Sequence, residues 1–304
     1  MTDRREAAAV LALAARTHRA WHLLAQALED AGTAVDLAAG LRSGNEPPEL
    51  DDALERVVIQ KEQLEENERL IEDLASRGIS LVTVLDDAYP ANLRLVYDRP
   101  PFLFVRGHLR DEDRRAIAVV GTRKASEKGL READLLARGL ADRGVAVVSG
   151  LALGIDTAAH EAALDVGGRT IAVIGNGIDA PIYPRQNRAL ADRIVDSGGA
   201  VVSQFLPDAP PKPDNFRLRN RTMSGLALGT AVVEASGTSG ARMQARMALE
   251  HGKRVFLVRE LVTREPWAEK YMDHPGTTIV EHADEVLQVL DSIKTPAEQL
   301  SLTA

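Results

Sequence analysis

Loops that combine glycine, hydroxyl and basic side chains recur along this 304-residue chain, and such loops can bind phosphate groups. The first runs from Gly121 through Thr122, Arg123 and Lys124 to Ser126. Glycine lets backbone N–H groups approach a phosphate, the hydroxyls add donors, and an arginine can form two parallel hydrogen bonds with it. The same residues would also suit a plain turn with a solvated Arg-Lys pair, so this loop alone leaves phosphate binding open.

A second loop places Ser149, Gly150 and Gly154 around the end of a predicted strand. Asp156 is predicted to cap the next helix, which carries His160 one turn later. His160 invites a catalytic interpretation, but no serine or acidic partner can be assigned to it from the sequence. We therefore expect a histidine that is hydrogen-bonded locally on the helix face.

Two more loops also precede predicted helices. Asn187 and Arg188 follow a strand that ends in small residues, and Arg188 with Arg185 could either hold phosphate or form a solvated helix face. Ser239 and Gly240 lie at a predicted helix N-terminus, where backbone N–H groups suit an anion.

A basic segment covers residues 181–225. It holds seven basic residues against four acidic ones, a local balance of +3 in a chain whose formal net charge is −8. Arg217, Arg219 and Arg221 lie beside Phe216 and Asn220, a combination that suits phosphate contacts with a base stacked on the ring. An arginine network paired with acidic helices of the same chain would use the same residue types.

Composition limits the classes of function. There is no cysteine, which excludes disulfides, thiolate metal sites and thiol nucleophiles. Basic and polar residues interrupt the apolar N-terminal stretch, so we expect no signal peptide, no membrane span and a cytoplasmic protein. The net charge of −8 argues against binding nucleic acid over the whole surface, so a nucleic-acid site must be a local patch. We predict no metal, no cofactor and no catalytic residue.

The pattern of elements predicts an α/β protein with a Rossmann-like, doubly wound, mostly parallel sheet after a small helical N-terminal domain. Apolar, β-branched runs alternate with helical segments from residue 116 onward, as in sheets that are buried on both faces. The predicted helices of this part cover 129–143, 155–166, 186–197, 222–228 and 239–251. Because ligands bind beyond the carboxyl ends of such strands, all five loops are expected to meet at one edge.

The expected domain boundaries follow from the same pattern. Helices over 6–40 and 51–77 predict an N-terminal domain of residues 1–78. Residues 79–115 are predicted to be a connector with one short strand, because their prolines forbid a continuous helix. A Rossmann-like domain would then cover 116–292, followed by a frayed tail at 293–304.

Seven ordered blocks resemble the DNA-processing protein A (DprA, also called Smf) family. They are IAVVGTRKAS, VVSGLALGIDTAAHEAAL, GGRTIAVIGNGID, YPRQNRAL, RLRNRTMSGLA, VVEASGTSG and the helix before GKRVFLV. The resemblance implies a protein that binds and protects single-stranded DNA in uptake, recombination or natural transformation, forms a homodimer, has no established catalytic activity and helps load a RecA-type recombinase. By the same resemblance, Arg123 and Arg188 would hold DNA phosphates, and Arg219 and Arg221 would line the groove.

Some features depart from that family. Gln204 stands where an acidic residue is common, and the usual C-terminal winged-helix domain is expected to be missing. These departures leave a role in mobile-element biology or defence open. The predicted nucleic-acid-binding set is Gly121, Thr122, Arg123, Lys124, Ser126, Ser149, Gly150, Gly154, Asn187, Arg188, Phe216, Arg217, Arg219, Asn220, Arg221, Ser239 and Gly240.

A small-nucleotide sensor or LOG-type phosphoribohydrolase of the same superfamily is the competing hypothesis. LOG-type enzymes place a glutamate on the turn that here reads Ser236 to Gly240, and this turn carries none. Hydrolysis is therefore not expected. A dinucleotide oxidoreductase would need Gly-x-Gly-x-x-Gly after the first strand, which GTRKASEKG does not supply.

Overall fold

A computed structural model describes residues 3–17, 20–41, 49–50, 54 and 59–293. Its N-terminal helices are α1 (Arg4–Arg16), α2 (Trp21–Ala31), α3 (Ala34–Ala38) and α4 (Lys61–Ser76). The helices expected over 6–40 are therefore present as three separate pieces. The helix expected over 51–77 is seen from Lys61, and most of its predicted first part lies outside the described residues, as does the predicted tail after 293.

One nine-stranded sheet organises the rest of the described chain. Its strands are β1 (Ile79–Thr83), β2 (Phe102–Gly107), β3 (Ala116–Val120), β4 (Ala146–Ser149), β5 (Thr170–Val173), β6 (Ala200–Ser203), β7 (Gly229–Val232), β8 (Arg254–Val258) and β9 (Thr277–Val280). The spatial order is β1-β2-β6-β5-β4-β3-β7-β8-β9. β1 and β2 pair antiparallel, as do β2 and β6, and all other pairs are parallel. The prediction of a mostly parallel α/β sheet is confirmed.

Helices lie between the strands along the chain. They are α5 (Ala91–Arg94), α6 (Glu127–Ala141), α7 (Ile155–Asp165), α8 (Arg188–Asp196), α9 (Pro213–Leu226), α10 (Gly240–Glu250), α11 (Arg259–Arg264), α12 (Pro266–Tyr271) and α13 (Ala283–Ser292), with 3₁₀ turns at Asp111–Arg114 and Arg185–Asn187.

The two faces of β3 show why these runs form buried strands. Ala116, Ala118 and Val120 belong to one hydrophobic cluster, and Ile117 and Val119 belong to another. Successive strand residues point to opposite faces, so a strand between two apolar layers must be apolar throughout. The first cluster includes residues of α1, α2, α9 and α10, and the second includes residues of α6, α7 and α13.

The segment predicted to be a connector supplies two strands of this sheet. The prolines at 100 and 101 exclude a helix there, but they come just before Phe102 and leave the apolar run that forms β2 intact. β2 then pairs antiparallel with β6, which joins β1 and β2 to the parallel part. The strand β2 was missed at the sequence level, and the division into domains stays a prediction.

The helix predicted over 222–228 is longer than expected. α9 begins at Pro213, with the proline in its first turn, where its missing N–H removes no hydrogen bond. Phe216 and the three arginines after it therefore lie on a helix and not on a loop. This difference decides which of their side chains reach solvent.

Candidate nucleic-acid interface

The loops after β3 and β7 meet where the strand order reverses. β3 lies between β4 and β7, so chain order runs in opposite directions on its two sides. The backbone N–H of Thr122 donates to the carbonyl of Glu234 (2.6 Å), and the Ser126 hydroxyl donates to the Glu234 carboxylate (2.9 Å). Ser126 also caps α6 by accepting from the N–H of Gly129 (3.0 Å). Ser126 is therefore used inside the protein, as a loop anchor and helix cap.

The helical period of α9 separates its arginines. Arg217 and Arg221 are exposed, four residues apart on one face, whereas Arg219 is only 5% exposed. Asn220 is 8% exposed and faces inward with Arg219. Arg219 and Arg221, predicted to line one groove, therefore lie on opposite sides of the helix, because residues two apart in an α-helix differ by about 200° in direction.

Arg219 lies against the ends of β4 and β5. Its Nη1 donates to the carbonyl of Val173 (2.8 Å), and its guanidinium occupies the space that a Cβ at Gly150 would fill. Burial lowers the pKa of Arg219, and the nearby Asp156 carboxylate opposes that shift. Gly150, one of the predicted nucleic-acid-binding residues, instead makes room for an arginine of the same chain.

Asp156 is placed differently from its prediction as a helix cap. The N-cap of α7 is Gly154, with a φ of 79°, and Asp156 lies in the first turn. Its carboxylate accepts from the backbone N–H groups of Gly150 (3.1 Å) and Ala152 (3.3 Å). Burial raises the pKa of Asp156, and the positive charge of Arg219 lowers it. The carboxylate therefore holds the β4 loop in shape from the helix side.

His160 is hydrogen-bonded inside the protein, but to a residue of strand β5 and not locally on its own helix face. It is fully buried on α7, and its Nδ1 lies 2.6 Å from the hydroxyl of Thr170. Thr170 donates its only hydroxyl proton to the carbonyl of Val147 (2.7 Å), so Nδ1 of His160 must carry the proton it donates to Thr170. Burial and then Arg219 lower the pKa of His160 to about 3.

Two other predicted site residues hold loops together. The Ser149 hydroxyl donates to the carbonyl of Val119 (2.6 Å). The Asn187 amide donates to the carbonyl of Leu151 (2.9 Å) and to the hydroxyl of Thr157 (2.8 Å). Both residues are buried, so their polar atoms bind other groups of the same chain.

An aromatic surface is exposed above these buried groups. The guanidinium carbon of Arg123 lies 5.4 Å from the centre of the Phe216 ring, and the rings of Phe216 and Tyr183 lie 5.7 Å apart. Phe216 rests on Gly175, where a Cβ would come 2.5 Å from the ring. We call these three side chains, Arg123, Phe216 and Tyr183, the aromatic platform. Tyr183 was not among the predicted site residues; its position two residues before Arg185 in the basic segment is the signal that could have identified it.

Several exposed cations in these segments of the chain have no acidic partner. Within the described part of the chain, no carboxylate oxygen lies within 4 Å of the charged groups of Arg123, Lys124, Arg185, Arg188, Lys212 or Arg217, and all six residues are exposed. Arg221 differs, because its Nε lies 3.3 Å from Asp98. Asp98 also accepts from His251, which comes just before β8, so Arg221 is held toward the amino ends of the strands.

The remaining predicted residues lie at the same edge as the platform or at the start of α10. Lys124 follows Arg123, and the hydroxyl of Thr122 accepts from the Lys124 N–H (3.3 Å). Ser239 caps α10 by accepting from the N–H of Ala241 (3.2 Å), and a Cβ at Gly240 would meet nothing within 4 Å.

The apolar stripe of α10 is not free. Ala241, Ala245 and Ala248 are buried in the core of this chain, where α10 packs on the sheet. The sequence also predicts a homodimer contact at the C-terminal half of the sheet and the helix over 239–251; these three alanines cannot contribute to it, and the contact itself stays a prediction.

Comparison with known proteins identifies the family. The sequence profile of the DNA recombination-mediator protein A family matches residues 80–291, which covers the sheet from the second residue of β1 onward and the platform.

The chain belongs to this family.

Individual members show how much of the chain is shared. Protein Smf of Escherichia coli K12 is 42% identical over 212 residues, 69% of this chain and 56% of that protein. The DNA processing protein DprA of Streptococcus pneumoniae is 42% identical over 176 residues. Its crystal structure aligns with a TM-score of 0.70 at 31% identity and covers 94% of this chain and 97% of the solved one.

A structure of DNA processing protein A from Helicobacter pylori also aligns, with a TM-score of 0.62 at 25% identity over 70% of this chain and 96% of that one. The family's fold is therefore shared over most of the described residues. The chain spans less than two thirds of the length of the curated relatives from E. coli and S. pneumoniae, 56% and 61%.

Two classes of site are absent from the described residues. Those residues contain no cluster of three or more histidines or carboxylates that could hold a metal ion. None of the helices in the described ranges is both long and apolar enough to span a membrane.

A Gly150→Ala substitution tests the packing beneath the platform. The added methyl group would overlap the Arg219 guanidinium, so we expect a loss of about 1–3 kcal/mol in the free energy of unfolding. Urea denaturation followed by circular dichroism measures it. Gly240→Ala is the matched control, because its Cβ meets nothing within 4 Å; equal stability of the two variants would contradict the packing described here.

Proposed function

We propose that this protein binds single-stranded DNA across the aromatic platform, with unpaired bases stacked on Phe216 and Tyr183 and phosphates held by Arg123, Lys124, Arg188 and Arg217. The observation that carries the proposal is the contact of Arg123, Phe216 and Tyr183 at the carboxyl edge of the sheet. Aromatic rings beside unpaired cations are the combination that binds single strands with little preference for sequence.

Electrostatics supports the same surface. The chain carries a formal net charge of −8, so a polyanion is attracted only where cations are concentrated and not neutralised. The exposed, unpaired cations Arg123, Lys124, Arg188 and Arg217 meet that condition beside the platform. Arg219 is buried and Arg221 is paired with Asp98, so we assign neither of them a DNA phosphate.

The family supports the class of ligand. The H. pylori relative binds single-stranded DNA, and the S. pneumoniae relative is a DNA processing protein. We propose the same class for this chain and a preference over duplex DNA, because a base can stack on Phe216 only when it is unpaired.

A mononucleotide in the crevice beside Glu234 is the second candidate. That crevice, of about 320 Å³, is lined by Lys124, Lys128 and Arg264 but also by four glutamates at 132, 234, 260 and 265. Lys128 is already paired with Glu260 (2.7 Å). Carboxylates therefore outnumber the cations in this crevice and disfavour a phosphate ligand, whereas the platform carries none.

The expectations about activity, oligomeric state, protein partner and location are also proposals. We propose a protein without nuclease or glycosidase activity, a homodimer formed through a surface other than the apolar stripe of α10, a RecA-type recombinase as partner and a cytoplasmic location. Light scattering of the purified protein at tens of micromolar concentration tests the dimer, and a mass near the monomer's 32.8 kDa would contradict it.

Arg123→Ala tests the electrostatic part of the site. We expect weaker binding of every single-stranded sequence, because phosphate contacts carry no base information. The slope of log K against log salt should flatten by about 0.7, the value for one phosphate contact on a single strand. Fluorescence anisotropy over a salt series measures both quantities. Arg131→Ala on α6 is the control, since it removes an equal charge from a residue already near Glu127 (3.8 Å).

Phe216→Ala tests the stacking part. Loss of one base stack should weaken binding by about 1–3 kcal/mol and leave the salt slope unchanged, because no charge is removed. The same anisotropy titrations measure both, and they also include duplex DNA and a panel of nucleotides. If wild-type protein showed no affinity for single-stranded DNA at low salt but bound a nucleotide, the crevice beside Glu234 would become the site.

A further inference from the structure

A second cationic cleft lies next to the platform, at the side of the sheet where β1 and β2 are added. It has a volume of about 700 Å³, and the 178–188 segment forms one wall. The described residues that line it include four arginines and one carboxylate; these are Arg77, Arg106, Arg185, Arg188 and Asp179. The lining therefore carries an excess of positive charge in an acidic protein.

The four arginines are not equally engaged. Arg77 forms two hydrogen bonds with Asp179, at 2.5 and 3.1 Å, which ties the 178–188 segment to the start of β1. Arg185 and Arg188 are exposed and have no carboxylate within 4 Å among the described residues. Two of the four charges are thus free to meet an anion.

Arg106, on β2, has an unused edge. Its Nη1 lies 3.1 Å from Asp192, but its Nε and Nη2 are buried without a hydrogen-bond partner in the described part of the chain. Buried N–H groups without partners are rare, because each loses its bond to water. Nε and Nη2 form the edge of a guanidinium that binds two oxygens of a phosphate side by side.

We propose that this cleft binds a phosphodiester group of the same DNA strand after the strand has crossed the aromatic platform. The inference rests on the proposed function. The two surfaces are linked through the chain, since Tyr183 of the platform is two residues from Arg185 of the cleft. The volume admits a nucleotide and not only an ion. The strand then runs from Arg123, over Phe216 and Tyr183, to the cleft.

Oligothymidylates of increasing length test the path. Arg185→Gln and Arg106→Gln proteins should match wild type on the shortest strands that bind, because those occupy the platform alone. On longer strands they should bind about 10-fold more weakly, the loss expected for a charged hydrogen-bonded contact. The salt slope should fall by about 0.7 for that one phosphate. Arg193→Gln on α8 is the matched control, since Arg193 lies outside the cleft lining and near Asp165 (3.7 Å).

The outcomes separate this inference from the proposed function. If the cleft variants bound strands of every length as wild type does, while Arg123→Ala weakened all of them, the cleft would be excluded and the platform would stand. If no protein bound single strands, the proposed function itself would fail. An effect confined to 5′-phosphorylated strands would overturn the internal phosphodiester in favour of a terminal phosphate. Arg185 is exposed and unpaired, so Arg185→Gln keeps the test valid if Arg106→Gln unfolds.

Discussion

An Arg219→Leu protein is expected to lose about 3 kcal/mol or more of unfolding free energy, the range found when one member of a buried charged network is removed. The substitution removes the hydrogen bond to the Val173 carbonyl and leaves an uncovered volume above Gly150. It also removes the positive charge that lowers the pKa of the buried Asp156. Chemical denaturation at neutral pH measures the loss.

Arg217→Leu is the matched control. Arg217 lies two residues earlier on the same helix and is exposed, so its removal should change stability by less than about 0.5 kcal/mol while weakening DNA binding. The double variant Arg219→Leu/Asp156→Asn should recover part of the stability, because asparagine carries no charge to bury. A stable Arg219→Leu protein that had lost DNA binding would show instead that Arg219 contacts phosphate.

The stability of the protein is expected to fall as the pH drops below 6.5, with His160 as the cause. In the folded protein the pKa of His160 is lowered to about 3, from an ordinary value of 6.5. The unfolded chain therefore takes up a proton in this pH range and the folded protein does not. The contribution of His160 to the free energy of unfolding is fully present above pH 6.5. Below that pH it declines by about 1.4 kcal/mol per pH unit, until the pH reaches the pKa of His160 in the folded protein.

The physical reason lies in the partners of the imidazole ring. Nδ1 already donates to Thr170, so an added proton would go to Nε2, which is buried, has no hydrogen-bond partner among the described residues and lies in the field of Arg219. His160→Asn keeps a donor in place of Nδ1 and cannot titrate. The difference in unfolding free energy between wild type and His160→Asn should shrink as the pH falls from 7 to 4. A pH-independent difference would exclude His160 as the cause.

The edge of the sheet that carries the site was already determined by the sequence. Apolar β-branched runs predict buried parallel strands, and loops after such strands must meet at their carboxyl ends. The sequence therefore places Gly121, Arg123 and Phe216 at one edge, and its ordered motifs indicate the family that the comparison shows. For His160 the sequence indicated a hydrogen bond but not its partner, because Thr170 lies on another element of the fold.

Which arginines face solvent was decided only by the tertiary structure. The sequence places Arg217, Arg219 and Arg221 together, but the phase of α9 depends on which side packs on the sheet, and that requires the positions of Gly150 and Val173. The pairing of Arg221 with Asp98 joins residues far apart in the chain and has no local signal.

The cleft with Arg77 and Arg106 depends on the tertiary structure in the same way. It exists because β2 pairs antiparallel with β6, far away in the chain. The sequence of the predicted connector, residues 79–115, gives no indication of that pairing. The local sequence supplies the arginines and indicates the edge of the sheet on which they lie. Burial and long-range pairing decide which of their charges remain free to bind DNA, since those depend on neighbours that are distant in the sequence.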